Sequence, residues 1–188
     1  MQERFAEKTA IADLTLERWT TADLEDLQRL ITSNVEHLRP RMPWIADEPK
    51  TVDERRVDVD EWTRRWENGH EVVMAIRMAG RAVGSAGLHE RGWPEGPEIG
   101  YWVDARHQGR GVATNASRAL VRLAFDLERV DAVHLTHDLT NERSARIPAR
   151  LGFHRVDQVP AAPDKIAPGD SGILVRWRLP REEWDLSR

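Results

Sequence analysis

The chain has 188 residues, 40% of them hydrophobic and 32% charged, with a formal net charge of −4 and no cysteine. This length suits a single domain spanning residues 1–188, which should bury roughly 70% of the surface its unfolded form exposes. The slight acid surplus leaves no basic excess to replace phosphate counterions, so nucleic acid is excluded as the main partner. The missing cysteines exclude disulfides, thiolate nucleophiles and Cys-type zinc sites. No window approaches the ~18 apolar residues of a membrane span. Met1–Ala12 is polar rather than an apolar leader, so a cytoplasmic location is expected.

In chain order, Ala12–Trp19 reads as a strand, with Leu14 and Leu16 alternating against polar neighbours. Thr20 and Thr21 are candidate N-caps, and Asp23, Glu25 and Asp26 suit the positive end of a helix. Leu24, Leu27, Leu30, Ile31, Val35 and Leu38 follow at spacings of three and four, which predicts one amphipathic helix broken by Arg39–Trp44. Thr51 and Glu54 form a capping box before a second helix, with Val59, Trp62 and Trp66 buried and Asn68-Gly69 at its end. The charged run Asp53–Glu61 on this helix, including Arg55, reads as a solvated face with local ion pairs. Val72–Ile76 is predicted as a strand buried on both faces, and Ala79-Gly80 as a turn into the strand Ala82–His89. Arg91–Pro97 is a loop, and Glu98–Val103 is a third strand of this group.

Gly109-Arg110-Gly111 opens a helix with Ala116, Leu120, Leu123 and Leu127 on one face. Ala132–His137 is a strand, Asn141–Leu151 a short helix stopped by Gly152, and Phe153–Val159 a strand. Ala161–Gly172 reads as a mobile loop, and Ile173, Val175, Trp177 and Leu179 alternate as the final strand. The eight tryptophans, spread from Trp19 to Trp184, read as staples of peripheral elements to the core. No internal repeat is visible. The order is an α+β mixture around one sheet, not a regular series of parallel units.

The most informative segment is Arg106-His107-Gln108-Gly109-Arg110-Gly111-Val112-Ala113, between a strand and a helix. Its glycines permit close backbone approach and unusual dihedrals. The helix behind them offers free N–H groups and a positive dipole end, which suits a pyrophosphate, with Arg106 or Arg110 adding charge. The segment lacks the Gly-Lys-Ser/Thr of a Walker loop and the three-glycine spacing of a dinucleotide fingerprint. A glycine-rich turn that merely starts a helix is the plain alternative.

With this loop, the sequence resembles the GNAT acetyltransferase superfamily, whose acetyl-CoA hallmark is Arg/Gln-x-x-Gly-x-Gly/Ala between strand and helix. Asn141-Glu142-Arg143-Ser144, followed by Leu151-Gly152-Phe153, resembles a segment of the RimJ/RimL-type branch, and Pro40–Trp44 resembles its acceptor-side Pro-Trp segment. The resemblance runs from about Ala12 to Trp177. It implies a mostly antiparallel mixed sheet of about seven strands flanked by about four helices. It also implies acetyl-CoA as co-substrate, no metal, and an amine acceptor that is either a protein N-terminus or a small amine. A homodimer is plausible by the same analogy.

The implied reaction needs a neutral amine, a polarised carbonyl and a stabilised thiolate. An amine with a pKa of about 8–10 is mostly protonated at neutral pH and needs a base. The resemblance offers Glu98, on the strand before the loop and flanked by Ile99, Tyr101 and Trp102. A water-facing glutamate is its plain reading, and His89, Glu90 and His137 are rival bases. Ser144 resembles the serine that hydrogen-bonds or protonates the departing sulfur, and Asn141 is expected on the pantetheine arm. A backbone N–H at Trp102 or Val103 is expected on the acetyl carbonyl, where that strand splays from the next. The cofactor site is thus Trp102, Val103, Arg106, Gln108, Gly109, Arg110, Gly111, Val112, Ala113 and Asn141, with Trp44 and Trp93 toward the acceptor.

Arg143, Arg146 and Arg150 are either an ordinary exposed face or a site for the cofactor's 3′-phosphate. His134 and His137 do not read as a metal site, because strand residues three apart point to opposite faces. A reading from another class remains: a module that binds acyl-CoA without turnover. Glu98, Asn141 and Ser144 together argue against it.

Overall fold

The computed structural model describes residues 3–186. Among them, eight strands form one sheet: β1 (Lys8–Ile11), β2 (Leu14–Arg18), β3 (Val72–Met78), β4 (Arg81–His89), β5 (Glu98–Val103), β6 (Ala132–Asp138), β7 (His154–Pro160) and β8 (Ile173–Pro180). Six helices accompany them: α1 (Leu24–Thr32), α2 (Val35–Leu38), α3 (Val52–Glu67), α4 (Val112–Phe125), α5 (Glu142–Leu151) and α6 (Arg181–Leu186). The strand order is β1-β2-β3-β4-β5-β6-β8-β7. Every neighbouring pair is antiparallel except β5 and β6, which are joined through the crossover helix α4. No described helix is long and apolar enough to cross a membrane.

The sheet has one strand more than the sequence pattern predicts. Ala12, with φ of 51°, turns the chain back, so that Ile11 pairs with Leu14 and a short hairpin replaces the start of one longer strand. The helix predicted over Leu24–Leu38 is interrupted at Ser33 and Asn34. Asn34 is buried, donates from Nδ2 to the Leu30 carbonyl, and accepts at Oδ1 from the Ala105 amide 2.9 Å away. The Asn34 backbone N–H bonds the Ile31 carbonyl, and its side chain takes the Leu30 carbonyl that a continuing helix would have given to that N–H.

Two apolar layers cover the sheet. On one side α4 and α5 pack Ala116, Leu120, Leu123, Ile147 and Leu151 against Leu16, Ile76, Leu88 and Leu135. On the other, α1, α2 and α3 pack Leu27, Ile31, Leu38 and Val59 against Trp19, Val73 and Ala75. Arg55 corrects the reading of a solvated α3 face. It is buried, ion-paired with Glu48 and Asp58, and bonded to Gln28. Several tryptophans do act as staples, since Trp66 Nε1 donates to the Phe5 carbonyl and Trp19 Nε1 to Ser85 Oγ.

The segment read as a mobile loop, Ala161–Gly172, is anchored at several points. The Asp138 carboxylate accepts from the backbone and hydroxyl of both Thr140 and Ser171 and from the Gly172 amide. Gly169 N–H donates to the Pro40 carbonyl, and Arg41 bridges Thr140 and Asp170. Burial alone would raise the Asp138 pKa, but the hydrogen bonds from Thr140 and Ser171 outweigh it and hold it well below the usual carboxylate range. A folded pKa below the unfolded value near 4 gives stability that is complete above about pH 4 and declines as the pH falls from there. Asp138→Asn should therefore cost about 2–3 kcal/mol in urea unfolding at pH 7. The gap to wild type should narrow below about pH 4, and a gap independent of pH would exclude the ionised carboxylate as its source.

Candidate active site

The site begins where β5 and β6 part company. They pair only at Glu98 with His134 and at Ile99 with Leu135. That end is stitched tightly: the Glu95 carbonyl accepts from the Asp131 and Ala132 amides, and the Pro97 carbonyl from His134. A Cβ on Gly96 would lie 2.1 Å from the Ala132 carbonyl oxygen, so only glycine allows this approach. Beyond Ile99, β5 keeps β4 on one edge and, among the described residues, has no strand on the other.

Strand alternation decides which groups face the gap. Pro97 O bonds toward β6, whereas Asp104 N–H bonds to Val83 O on β4. The regular register between them turns the Tyr101 and Val103 amides to the gap and the Trp102 amide into β4. The amide of Trp102, expected as the alternative to that of Val103 for the carbonyl donor, is therefore used within the sheet. The Tyr101 amide, absent from that expectation, is turned to the gap. The Trp102 indole packs on the α1–α3 side, 6.2 Å from the half-exposed Trp44 ring, while Tyr101 packs on the α4–α5 side.

The glycine loop follows β5. Gly109 and Gly111 have φ of 73° and 77°, left-handed values that other residues adopt at a cost of about 1–2 kcal/mol. Nothing lies within 4 Å of a Cβ placed on either, so open space stands over the loop. Gly111 caps α4 without a side chain, and the first helical bond runs from Asn115 N–H to Gly111 O. The amides of Val112, Ala113 and Thr114 thus have no partner within the helix. Such a cradle suits a phosphate. Arg106 is committed to Asp104, a buried carboxylate that also meets His107. Arg110 is exposed and forms no ion pair among the described residues. Gln108 links helices, meeting His37 Nε2 at 2.8 Å and Arg143 at 2.6 Å.

Glu98 lies on the α1–α3 side. Its Oε2 accepts from Thr136 Oγ1 at 2.7 Å and from Trp93 Nε1 at 3.0 Å. Trp93, expected toward the acceptor, stacks on His134 at 4.1 Å with the Arg176 guanidinium 4.9 Å from its ring, so it acts as a wall holding Glu98. His137 has both ring nitrogens engaged. The Trp177 indole can only donate, so His137 Nε2 accepts from it, while Nδ1 meets the Asp138 carbonyl at 2.8 Å. Burial lowers its pKa as well. Glu90 is exposed and pairs with His70. His89 stands opposite Glu98 with Nδ1 3.1 Å from Glu71 Oε2, and its Nε2 lies over Gly87 and Gly100.

Asn141 caps α5, accepting at Oδ1 from Ser144 N–H at 3.2 Å. Ser144 lies close enough to the Tyr101 hydroxyl to influence its titration, although the two form no well-aligned hydrogen bond. The sequence reading missed Glu71, Asn34 and Asp104. Each is a polar residue whose partner lies elsewhere in the chain or in a loop turn that no periodicity announces.

The model of the acetyltransferase (GNAT) domain family matches residues 13–154, and the chain belongs to that family. It is an acetyltransferase. YdaF of Bacillus subtilis (strain 168), provisionally named a ribosomal N-acetyltransferase, is 26% identical over 174 residues, which cover 92% of this chain and 93% of that protein. RimL, a ribosomal L7/L12 alpha-N-protein acetyltransferase in complex with coenzyme A, has a TM-score of 0.85 at 18% identity, over 94% of this chain and 99% of its own. The microcin C7 self-immunity acetyltransferase MccE, in complex with acetyl-CoA and AMP, has a TM-score of 0.80 at 20% identity, over 90% and 93%. At these identities the two solved structures speak for the fold alone.

Asn34→Ala should leave the Ala105 amide unpaired at the head of the glycine loop. We expect a loss of about 1–3 kcal/mol in urea unfolding and faster amide exchange over residues 105–111. Unchanged exchange there would show that Asn34 does not fix the loop.

Proposed function

We propose that this acetyltransferase moves the acetyl group of acetyl-CoA to a primary amine by direct attack in a ternary complex. The carrying observation is the one-sided opening of β5 beyond Ile99. It leaves the Tyr101 and Val103 amides to bond the pantetheine arm and polarise the thioester carbonyl. The pyrophosphate rests on Gly109–Ala113 at the start of α4, with Arg110 adding charge, and Asn141 meets the arm from α5. The coenzyme A complexes named above support this donor.

The acceptor enters on the α1–α3 side, past Trp44 and Trp102. Its nitrogen loses a proton to Glu98, directly or through water, and attacks the carbonyl carbon. The tetrahedral species then collapses, the C–S bond breaks, and Ser144 hydrogen-bonds the departing sulfur. The favoured acceptor is the N-terminal amine of a protein, a reading supported by the relatives named for ribosomal proteins. Release of free thiol from acetyl-CoA, screened over peptides with Ser, Ala or Asp first and over small amines, tests this. Binding of acetyl-CoA with no transfer to any acceptor would favour a non-catalytic acyl-CoA-binding module.

Glu98→Gln should lower kcat by about 10²–10⁴-fold at pH 7 and recover part of it near the amine's own pKa. Ser144→Ala should lower kcat more than it raises the KM for acetyl-CoA. The Glu71–His89 pair favours a second reading of the base, because Glu71 orients the imidazole and leaves Nε2 over the acceptor-side floor. Full activity in Glu98→Gln with loss in His89→Gln would move the assignment to His89.

A further inference from the structure

The carboxylate of Glu98 is gripped by one oxygen only. Thr136 Oγ1 and Trp93 Nε1 both donate to Oε2, at 2.7 and 3.0 Å. A carboxylate oxygen offers two lone pairs, so these two donors fill Oε2. Oε1 meets no donor among the described residues.

The grip is set from behind. Trp93 lies flat on His134, with ring centroids 4.1 Å apart and planes 2° from parallel. Its loop is fastened to β6 and β8 through Glu95, whose carbonyl takes the Asp131 and Ala132 amides and whose carboxylate takes Arg178 at 2.8 and 2.9 Å. His134 is the residue paired with Glu98 across β5 and β6, so a histidine stands beside the proposed base. That imidazole is buried, and neither ring nitrogen has a hydrogen-bond partner among the described residues. Its Nε2 is 3.6 Å from Glu95 Oε2, too far for a hydrogen bond. Burial pushes the ring's pKa down to about 4, so it is neutral at the pH where an amine reacts. What it offers Trp93 is a flat face.

We infer that Trp93, Thr136 and His134 are positioning residues: the imidazole is a plate for the indole, and the indole and the threonine hydroxyl hold Glu98 so that Oε1 alone is left to take the acceptor's proton. This rests on the acetyl-transfer reading above, with Glu98 as the base. An N–H bond of the ammonium breaks, its electron pair stays on nitrogen for the attack, and the proton joins Oε1. Oε1 returns it to solvent before the next cycle. A loose glutamate samples many rotamers, whereas this one is ordered before the acceptor arrives.

Steady-state thiol release from acetyl-CoA, with a peptide that has serine first, tests the assignment. Counting kcat per acetyl-CoA site titrated discounts any unfolded fraction of a variant. Trp93→Phe keeps a ring on His134 and loses the N–H, and Thr136→Val keeps the shape and loses the hydroxyl. Each should lower kcat by about 10–100-fold while both KM values stay within about threefold. His134→Ala removes the plate and should lose as much, whereas His134→Phe restores a flat ring and should keep kcat within about threefold of wild type. With Glu98→Gln impaired, wild-type kcat in either Trp93→Phe or Thr136→Val overturns this inference alone. A loss in His134→Phe equal to that in His134→Ala does the same, because it gives the ring nitrogens a role. Full activity in Glu98→Gln removes the base, and wild type that transfers to no peptide or small amine removes the functional reading; either takes this inference with it.

Discussion

The arrangement depends on a strand pair that is closed at one end and open at the other. At the closed end, Gly96 presses on Ala132 and three amides are taken by the Glu95 and Pro97 carbonyls. At the open end, β6 gives its whole length to β8, from Ala132 to Asp138, while β5 keeps β4. An edge of β5 is thus left unpaired in the middle of an eight-stranded sheet. Unpaired strand edges invite pairing with another extended chain. Here the edge is short and sits between two helical layers.

Polar residues gather beyond the open ends of β5 and β6. Asn34 ties α2 to Ala105, and Asp104 gathers Arg106 and His107. Asp138 gathers Thr140, Ser171 and Gly172 at the far end of β6. Their partners include the backbone amides of Ala105, Arg106, Thr140, Ser171 and Gly172, which lie beyond the strand ends where no ladder reaches. Gln108, between His37 and Arg143, runs from one helical layer to the other. The loop that would hold phosphates is therefore fixed from both sides of the sheet.

Much of this was legible in the sequence because it rests on local chemistry. The capping box at Thr51 and Glu54, the turn at Ala79-Gly80 and the glycine loop before α4 follow from residue types at fixed offsets, and all stand where expected. Asn141 as the cap of α5 is of the same kind. What escaped depends on partners far apart in the chain. The break at Asn34 answers to Ala105, Arg55 is buried by Glu48 and Asp58, and the Ala161–Gly172 segment is anchored by Asp138 and Pro40. No periodicity carries such information. The choice between the Trp102 and Val103 amides was out of reach for a simpler reason: it turns on which edge of β5 each faces, and only the register with β4 decides that.

The register has one more consequence. Glu98 and Tyr101 are three apart on the same strand, so their side chains lie on opposite faces of the sheet. Glu98 stands on the α1–α3 side with Trp93 and Thr136, and Tyr101 on the α4–α5 side with Ser144. In the proposed reaction the proton is removed on one face and the negative sulfur is held on the other. There the thioester carbonyl lies between them, beside the open edge of β5. The incoming nitrogen and the departing sulfur occupy different corners of the tetrahedral species, so the base and the thiolate donor are needed on different sides of the carbonyl carbon. Alternation along a single strand keeps them apart without any further device.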